Sequence, residues 1–336
     1  NHLGWSGTRL GERFIYLWDP ASPASQARFA GSGDWPAWSP SGEQLAARLS
    51  LPNRTYLTAY QLDDSQLTTV PQILPGSLEG LAWGQLSLPA KPASSLAQAA
   101  AYMPQPLWRE KLTASKNLPS GRYGIVTLED LDAPLPQFSD RADEAFTALR
   151  EAVARRVGWD YLAQLDNAFQ PLTAPALPSL EGSWLYTGRG LSANSAPLHA
   201  GWLVIVREDY NDQTYWRIFV RARMQDGSQG QPLTRQVWDL TVRSSGDTRA
   251  YEQGGLRVTD IPSGYWIDLT DLAIAYGWER LPALSTWRSY YPAARITDFA
   301  LIQGTDWRSA LLEIYPPGML ITPTPVASPT VTPPPT

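Results

Sequence analysis

Trp35-Pro36-Ala37-Trp38-Ser39-Pro40-Ser41-Gly42-Glu43-Gln44-Leu45-Ala46 reads as a strand, a turn and the start of a second strand. Trp35 and Trp38 supply the first strand with buried aromatic weight. In Ser39-Pro40-Ser41-Gly42 the proline sets φ and the glycine permits a tight return. Gln44 to Ser50 continues the second strand, and Thr55 to Leu62 forms a third, β-branched and aromatic, after the Pro52-Asn53 turn signal. Leu81-Ala82-Trp83-Gly84 then brings back an aromatic 45 residues after Trp38, and Tyr60 follows Tyr16 of Phe14-Ile15-Tyr16-Leu17-Trp18 by 44. Four strands in a period of about 40 to 45 residues is propeller spacing.

With that period, Trp38-Ser39-Pro40-Ser41-Gly42 resembles the blade signature of the TolB-like (PD40) class of bacterial WD40-like β-propellers, usually Trp-Ser-Pro-Asp-Gly. Ser41 stands where the family has Asp. The resemblance spans about residues 10 to 90, under two blades, whereas closing a propeller takes at least about four. It implies a fold and an exported bacterial setting, and it carries no catalytic residues. Two alternatives stay open: a piece of a longer propeller protein, or strands that cap something else. The bland reading of the motif alone is an ordinary hairpin turn.

Composition bounds the rest. A length of 336 residues suggests two domains large enough to bury cores of their own. The 30 Pro and 25 Gly favour short strands and turns over long helices. The chain has 0 Cys, which excludes disulfides, thiolate metal sites and Cys nucleophiles. A net charge of −5 offers no basic footprint, so nucleic acid is not expected as a partner. No apolar run reaches about 18 residues, so no transmembrane segment is expected.

Residues 1–88 are therefore read as partial β-propeller-like blades and 89–136 as a Pro/Ala-rich linker, with a short helix over Leu96 to Met103 and a strand over Tyr123 to Leu128. An α+β domain over 137–320 opens with a helix. Ala142, Ala145, Phe146, Leu149, Ala152, Val153 and Val157 keep a 3.6-residue period between an N-cap at Ser139 or Asp140 and a stop at Gly158. Trp159 to Phe169 reads as a second helix, completing a helical pair. The segment 321–336, where 11 of 16 residues are Pro or Thr, reads as an extended polyproline-like stalk or linker. The fold class expected is α+β and β-rich: a partial propeller-like start, then a helical pair with an antiparallel sheet.

The clearest hairpin pairs Trp202 to Arg207 with Thr214 to Arg223 across a polar loop, Glu208 to Gln213. On its second strand Trp216, Ile218, Val220 and Ala222 form the core face. Tyr215, Arg217, Phe219, Arg221 and Arg223 form the opposite one, aromatic and cationic, suited to gripping an acidic glycan. Further strands are expected at Gln236 to Val242, Leu256 to Thr259 and Tyr265 to Leu269, and short helices at Thr270 to Tyr276 and Asp306 to Tyr315. The 15 Trp amount to about one residue in twenty-two, well above ordinary usage. Most must be core anchors, but the loop-like stretch Tyr276 to Tyr291 offers Trp278, Trp287, Tyr290 and Tyr291 as an exposed aromatic surface.

Catalytic and metal patterns are sparse. His2 and His199 are the 2 histidines, too few for multi-His sites, and Gly188-Arg189-Gly190 lacks the third Gly and the Lys of a phosphate loop. Glu208 to Asp212 offers oxygen ligands for Ca²⁺ but lacks the EF-hand Gly and terminal Glu. Asn53-Arg54-Thr55 is a formal glycosylation sequon. Carboxylates for glycosidase-type chemistry are Glu181, Glu208, Glu252, Asp268 and Glu313. No cofactor, metal or catalytic set is assigned. The reading is an exported, extracellular or cell-envelope binding or assembly protein, with a wall or extracellular glycan or another copy, paired through open strand edges, as partner. The alternative is a cell-wall-directed hydrolase using a carboxylate pair.

Overall fold

The computed structural model describes residues 2–9, 12–74, 80–85, 106–113, 118–172 and 182–320. It is α+β and β-rich, with five α-helices and several open antiparallel sheets among the described residues. The expected Leu96 to Met103 helix and the 321–336 segment lie outside them.

The first sheet joins β1 (Leu3–Arg9), β2 (Glu12–Trp18) and β3 (Arg28–Ser32). The second orders β4 (Asp34–Trp38), β5 (Gln44–Leu51), β6 (Arg54–Gln61) and β7 (Gln72–Leu74) as a meander. The opening motif makes the expected turn. Gly42, at φ 75°, donates its N–H to Ser39 O, and Ser39 Oγ accepts from Gln44 N at 3.0 Å. Alternation on β2 sends Ile15 and Leu17 inward to meet Leu45, Ala47, Tyr60 and Leu62. Gly31 is needed here: a Cβ would lie 2.7 Å from the Tyr60 ring, whose hydroxyl donates to Ser32 O.

Two expectations fail in this region. Trp35 does not enter the core; it sits at φ 53° and is 45% exposed, because the β4 register shifts between Asp34 and Ala37. Leu81 to Gly84 forms no strand, and Trp83 is exposed.

The body is built on one large core fed by two four-stranded sheets. One orders β10 (Leu165–Asn167), β11 (Gly190–Ala193), β19 (Asp298–Ala300) and β18 (Glu279–Arg280). The other orders β12 (Leu203–Tyr210), β13 (Gln213–Arg221), β17 (Tyr265–Asp268) and β14 (Gln231–Pro232). The expected helix appears as α1 (Asp143–Val157), with every predicted apolar position buried and Gly158 as a left-handed C-cap. Its N-cap is Ala142 rather than Ser139 or Asp140. Ser139 is used by β9 (Gln137–Ser139), which pairs with β8 (Ile125–Thr127). β8 lies within the strand expected over Tyr123 to Leu128. Trp108 also docks on the body, donating its indole N–H to Tyr276 O.

The second helix is corrected. Tyr161–Ala163 is a 3₁₀ turn and Leu165–Asn167 is strand β10. Tyr161, Leu162, Leu165 and Ala168 mimic a helical period, but Leu165 N–H donates to Asp132 O and β10 pairs with β11, so the backbone finds its partners outside the segment. The hairpin is tighter than expected. β12 runs on to Tyr210, and the return is the two-residue turn Asn211-Asp212, both at positive φ. β15 (Trp238–Asp239), paired with β16 (Leu256–Arg257), and α5 (Trp307–Leu312) fall where expected but shorter, and α4 (Leu269–Ala275) lies one residue earlier than expected; the short helices α2 (Ala196–His199) and α3 (Thr248–Gln253) are not among the expected elements.

Candidate functional site

The alternation on β13 holds. Trp216, Ile218, Val220 and Ala222 are each at most 1% exposed. The opposite face divides into an internal half and an open half.

The internal half is an ion cluster. Arg217 binds Glu208, Asp268 and Asp271 at 2.6 to 3.0 Å. Glu208 also meets Arg280 at 2.6 Å and pairs with Arg235. Burial pushes the Glu208 pKa up, but Arg217, Arg280 and Arg235 outweigh it and hold the carboxyl at about 2. Burial works against the Arg217 charge too, and Glu208, Asp268 and Asp271 overcome it, leaving its pKa raised. Arg280, 3% exposed, lies 5.6 Å from the Tyr215 ring centre and donates twice to Pro52 O. Asn53 bonds Arg280 O and Arg54 pairs with Glu279, so the cluster fastens the β5–β6 hairpin to the body. Arg217 and Tyr215 therefore brace the junction instead of presenting a ligand surface, and Phe219 is half-buried beside them.

The open half is a cleft of about 500 Å³ lined by Trp159, Asn194, Ala196, Pro197, Ala200, Trp202 and Arg223. Its geometry follows from two local devices. Gly158 stops α1 at φ 85°, and Arg223 N–H donates to Val157 O at 2.7 Å, which sets the end of the strand beside the helix terminus. A Cβ on Gly158 would lie 3.0 Å from Arg223 Cβ, so the close approach depends on glycine. Trp159 is oriented by its indole N–H on Arg221 O at 3.2 Å and by edge-on contact with Tyr161. Trp202 stands at 88° to Trp159 with ring centres 6.1 Å apart, and Arg221 covers it at 5.7 Å. Trp202 is 42% exposed, and Arg223 is exposed with no ion pair among the described residues. The cleft thus offers two indole surfaces at right angles, apolar walls and one available guanidinium.

The expected aromatic surface at 278–291 is corrected. Trp278 is fully buried, edge-on to Phe138 and Phe146. Trp287 is 5% exposed, edge-on to Trp216, and Arg207 is sandwiched between it and Trp238. Both rings fill core gaps that this loop-like sequence closes over. Tyr290 and Tyr291 do remain partly exposed. Tyr291 lies within electrostatic reach of Asp166, whose carboxylate takes Ser195 N–H beside Asn194 of the cleft. Of the nine expected binding residues, Arg223 lines the cleft and Arg221 backs it.

Comparison with family models, curated proteins and solved structures gives no match.

Of the carboxylates considered for hydrolysis, Glu208, Glu252, Asp268 and Glu313 do not line the cleft. Glu181 lies outside the described residues. Glu208 is held by arginines, Asp268 caps α4, and Glu313 is flanked by Arg141 and buried Arg189. Arg189 is thus internal, and its glycines serve close packing: a Cβ on Gly188 or Gly190 would meet backbone at 2.7 or 2.6 Å. Sequence reasoning missed one titratable group. Burial, together with the hydrogen bond and charge of Glu144, pushes the Asp143 carboxyl up to about 7. Adjacent acidic residues at a helix start were the available signal. Among the described residues no group of three His, Asp or Glu is placed to hold a metal, and no helix is long and apolar enough to cross a membrane.

Proposed function

We propose that this chain is a non-catalytic binding protein of the bacterial cell surface or envelope that holds an acidic glycan in the Trp159/Trp202/Arg223 cleft. The observation that carries the reading is the pairing of an exposed Trp202 ring and a half-buried Trp159 ring with the Arg223 guanidinium, which has no ion pair among the described residues, on apolar walls. A sugar ring presents C–H faces that lie against indole, and a uronate or lactyl carboxylate is the natural partner of an arginine fork. The TolB-like resemblance of the first strands and the Thr/Pro-rich segment support the exported setting, and the partial propeller is part of the same proposal.

A second observation favours self-assembly. The face of the first sheet away from its core collects Leu3, Trp5, Phe14, Tyr16, Trp18 and Phe29, of which Leu3, Trp5 and Phe29 are 43 to 56% exposed. A contiguous aromatic sheet face of this kind is an association surface.

The test is retention of the purified chain on insoluble peptidoglycan and on polyuronate gel, with soluble sugar assayed in the same tubes. Retention without sugar release, reduced by Trp202→Ala, is expected. Release of sugar would bring the hydrolase reading forward, and the absence of both retention and release would overturn the glycan assignment.

A further inference from the structure

The cleft has features that a sugar does not need. Trp159 and Trp202 are perpendicular, Pro197 also lines the cleft, and Trp202 Nε1–H has no acceptor among the described residues. Aromatic-lined grooves with a free indole N–H hold polyproline-type peptides: prolines pack between the rings and the N–H takes a backbone carbonyl.

The chain carries a segment of that chemistry. Residues 321–336 contain six prolines and no charged side chain. The spacing of Pro323, Val326, Pro329, Thr332 and Pro335 is three residues, the repeat that a polyproline helix would place on one side.

The segment also starts close enough. Leu320 packs on the cluster of Phe169, Tyr186, Leu311 and Tyr315. Phe169 is four residues beyond Leu165, which pairs with Ala193, the neighbour of Asn194 in the cleft. That route puts the cleft on the order of 25 Å from Leu320. Sixteen residues in polyproline geometry reach about 50 Å.

We propose that the Trp159/Trp202 cleft is a polyproline-type peptide site whose built-in occupant is the 321–336 segment of the same chain, so that this segment competes with the outside ligand. The inference rests on the reading of the cleft as the recognition site. Proline rings enter the right-angled slot, and Trp202 Nε1–H and the Arg223 guanidinium donate to backbone carbonyls. A short tether gives an effective concentration in the millimolar range, so weak docking suffices to fill the cleft part of the time.

The test uses the 336-residue chain and a variant of the same length carrying Pro323→Gly, Val326→Gly, Pro329→Gly and Pro335→Gly. The Trp202 indole N–H resonance, identified by its loss in Trp202→Phe, is followed in both, and a soluble oligogalacturonate is titrated into each. The expected result is a shifted Trp202 resonance in the variant, reversed by about 5 mM of a synthetic 321–336 peptide, with oligogalacturonate affinity about two- to tenfold higher in the variant. An identical resonance in both chains with no response to peptide overturns the proposal, whatever the glycan does. A resonance that responds to the segment in a chain that binds no oligogalacturonate leaves the proposal standing and removes the glycan reading instead.

Discussion

The blade-like strands and the body use tryptophan in opposite ways. In the body most indoles are buried or half-buried, and several donate their N–H to backbone carbonyls: buried Trp216 to Ala294, buried Trp238 to Gly254 and half-buried Trp307 to Ser183. In the first strands Trp5 and Trp35 stand exposed over a core of seven buried residues. The body buries most of its aromatic rings in one large core, whereas the two sheets of the first strands leave an aromatic face uncovered. The candidate ligand cleft thus lies on the body and the candidate association face on the first strands, and the buried arginine cluster around Glu208 joins the two regions.

The contrast is broken most severely inside the body. Trp216→Ala removes a ring 1% exposed together with its bond to Ala294, and is expected to cost about 3 to 5 kcal/mol. Trp5→Ala on the open sheet should cost less than about 0.5 kcal/mol while lowering any self-association. Denaturant midpoints and sedimentation of both variants check the pair. Next in size is the junction. Arg280→Met takes a cation from buried Glu208 and frees the Pro52 carbonyl, at a cost of about 3 kcal/mol. Calorimetry should then resolve two transitions where the parent shows one. Gly31→Ala, whose Cβ meets the Tyr60 ring, should cost about 1 to 3 kcal/mol and lower only the transition of the first strands.

Titration gives the smallest and most graded effect. Glu208 has a folded pKa depressed from 4.5 to about 2, so its contribution is present above pH 4.5 and is lost as pH falls through about 2. Asp143 has the opposite sign. Its pKa is raised from 3.8 to about 7, so ionising it in the folded state costs stability progressively across that window. Asp143→Asn should therefore raise the melting temperature at pH 8 and leave it unchanged below pH 3.8.

Local rules carried much of the fold. The Ser39 to Gly42 turn, the α1 period with its Gly158 stop, and the core face of β13 depend on neighbours within a few residues, so periodicity and turn chemistry reveal them. The second helix failed because Tyr161, Leu162, Leu165 and Ala168 satisfy two periods, and distant Asp132 and Ala193 decide between them. The site was legible by halves. Arg221 and Arg223 emerge from strand alternation, but their Trp159 and Trp202 partners arrive from a helix end and a separate loop. Trp278 and Trp287 looked exposed because loop composition is blind to what packs over it.

The most direct measurement is calorimetric titration of an oligogalacturonate into the full chain, Trp202→Ala and Arg223→Gln, with a neutral oligosaccharide as control. The account predicts saturable binding to the parent, at least about tenfold weaker in each variant, and little response to the neutral sugar. Equal affinity in all three chains, or equal response to the neutral sugar, would contradict the assignment of the cleft.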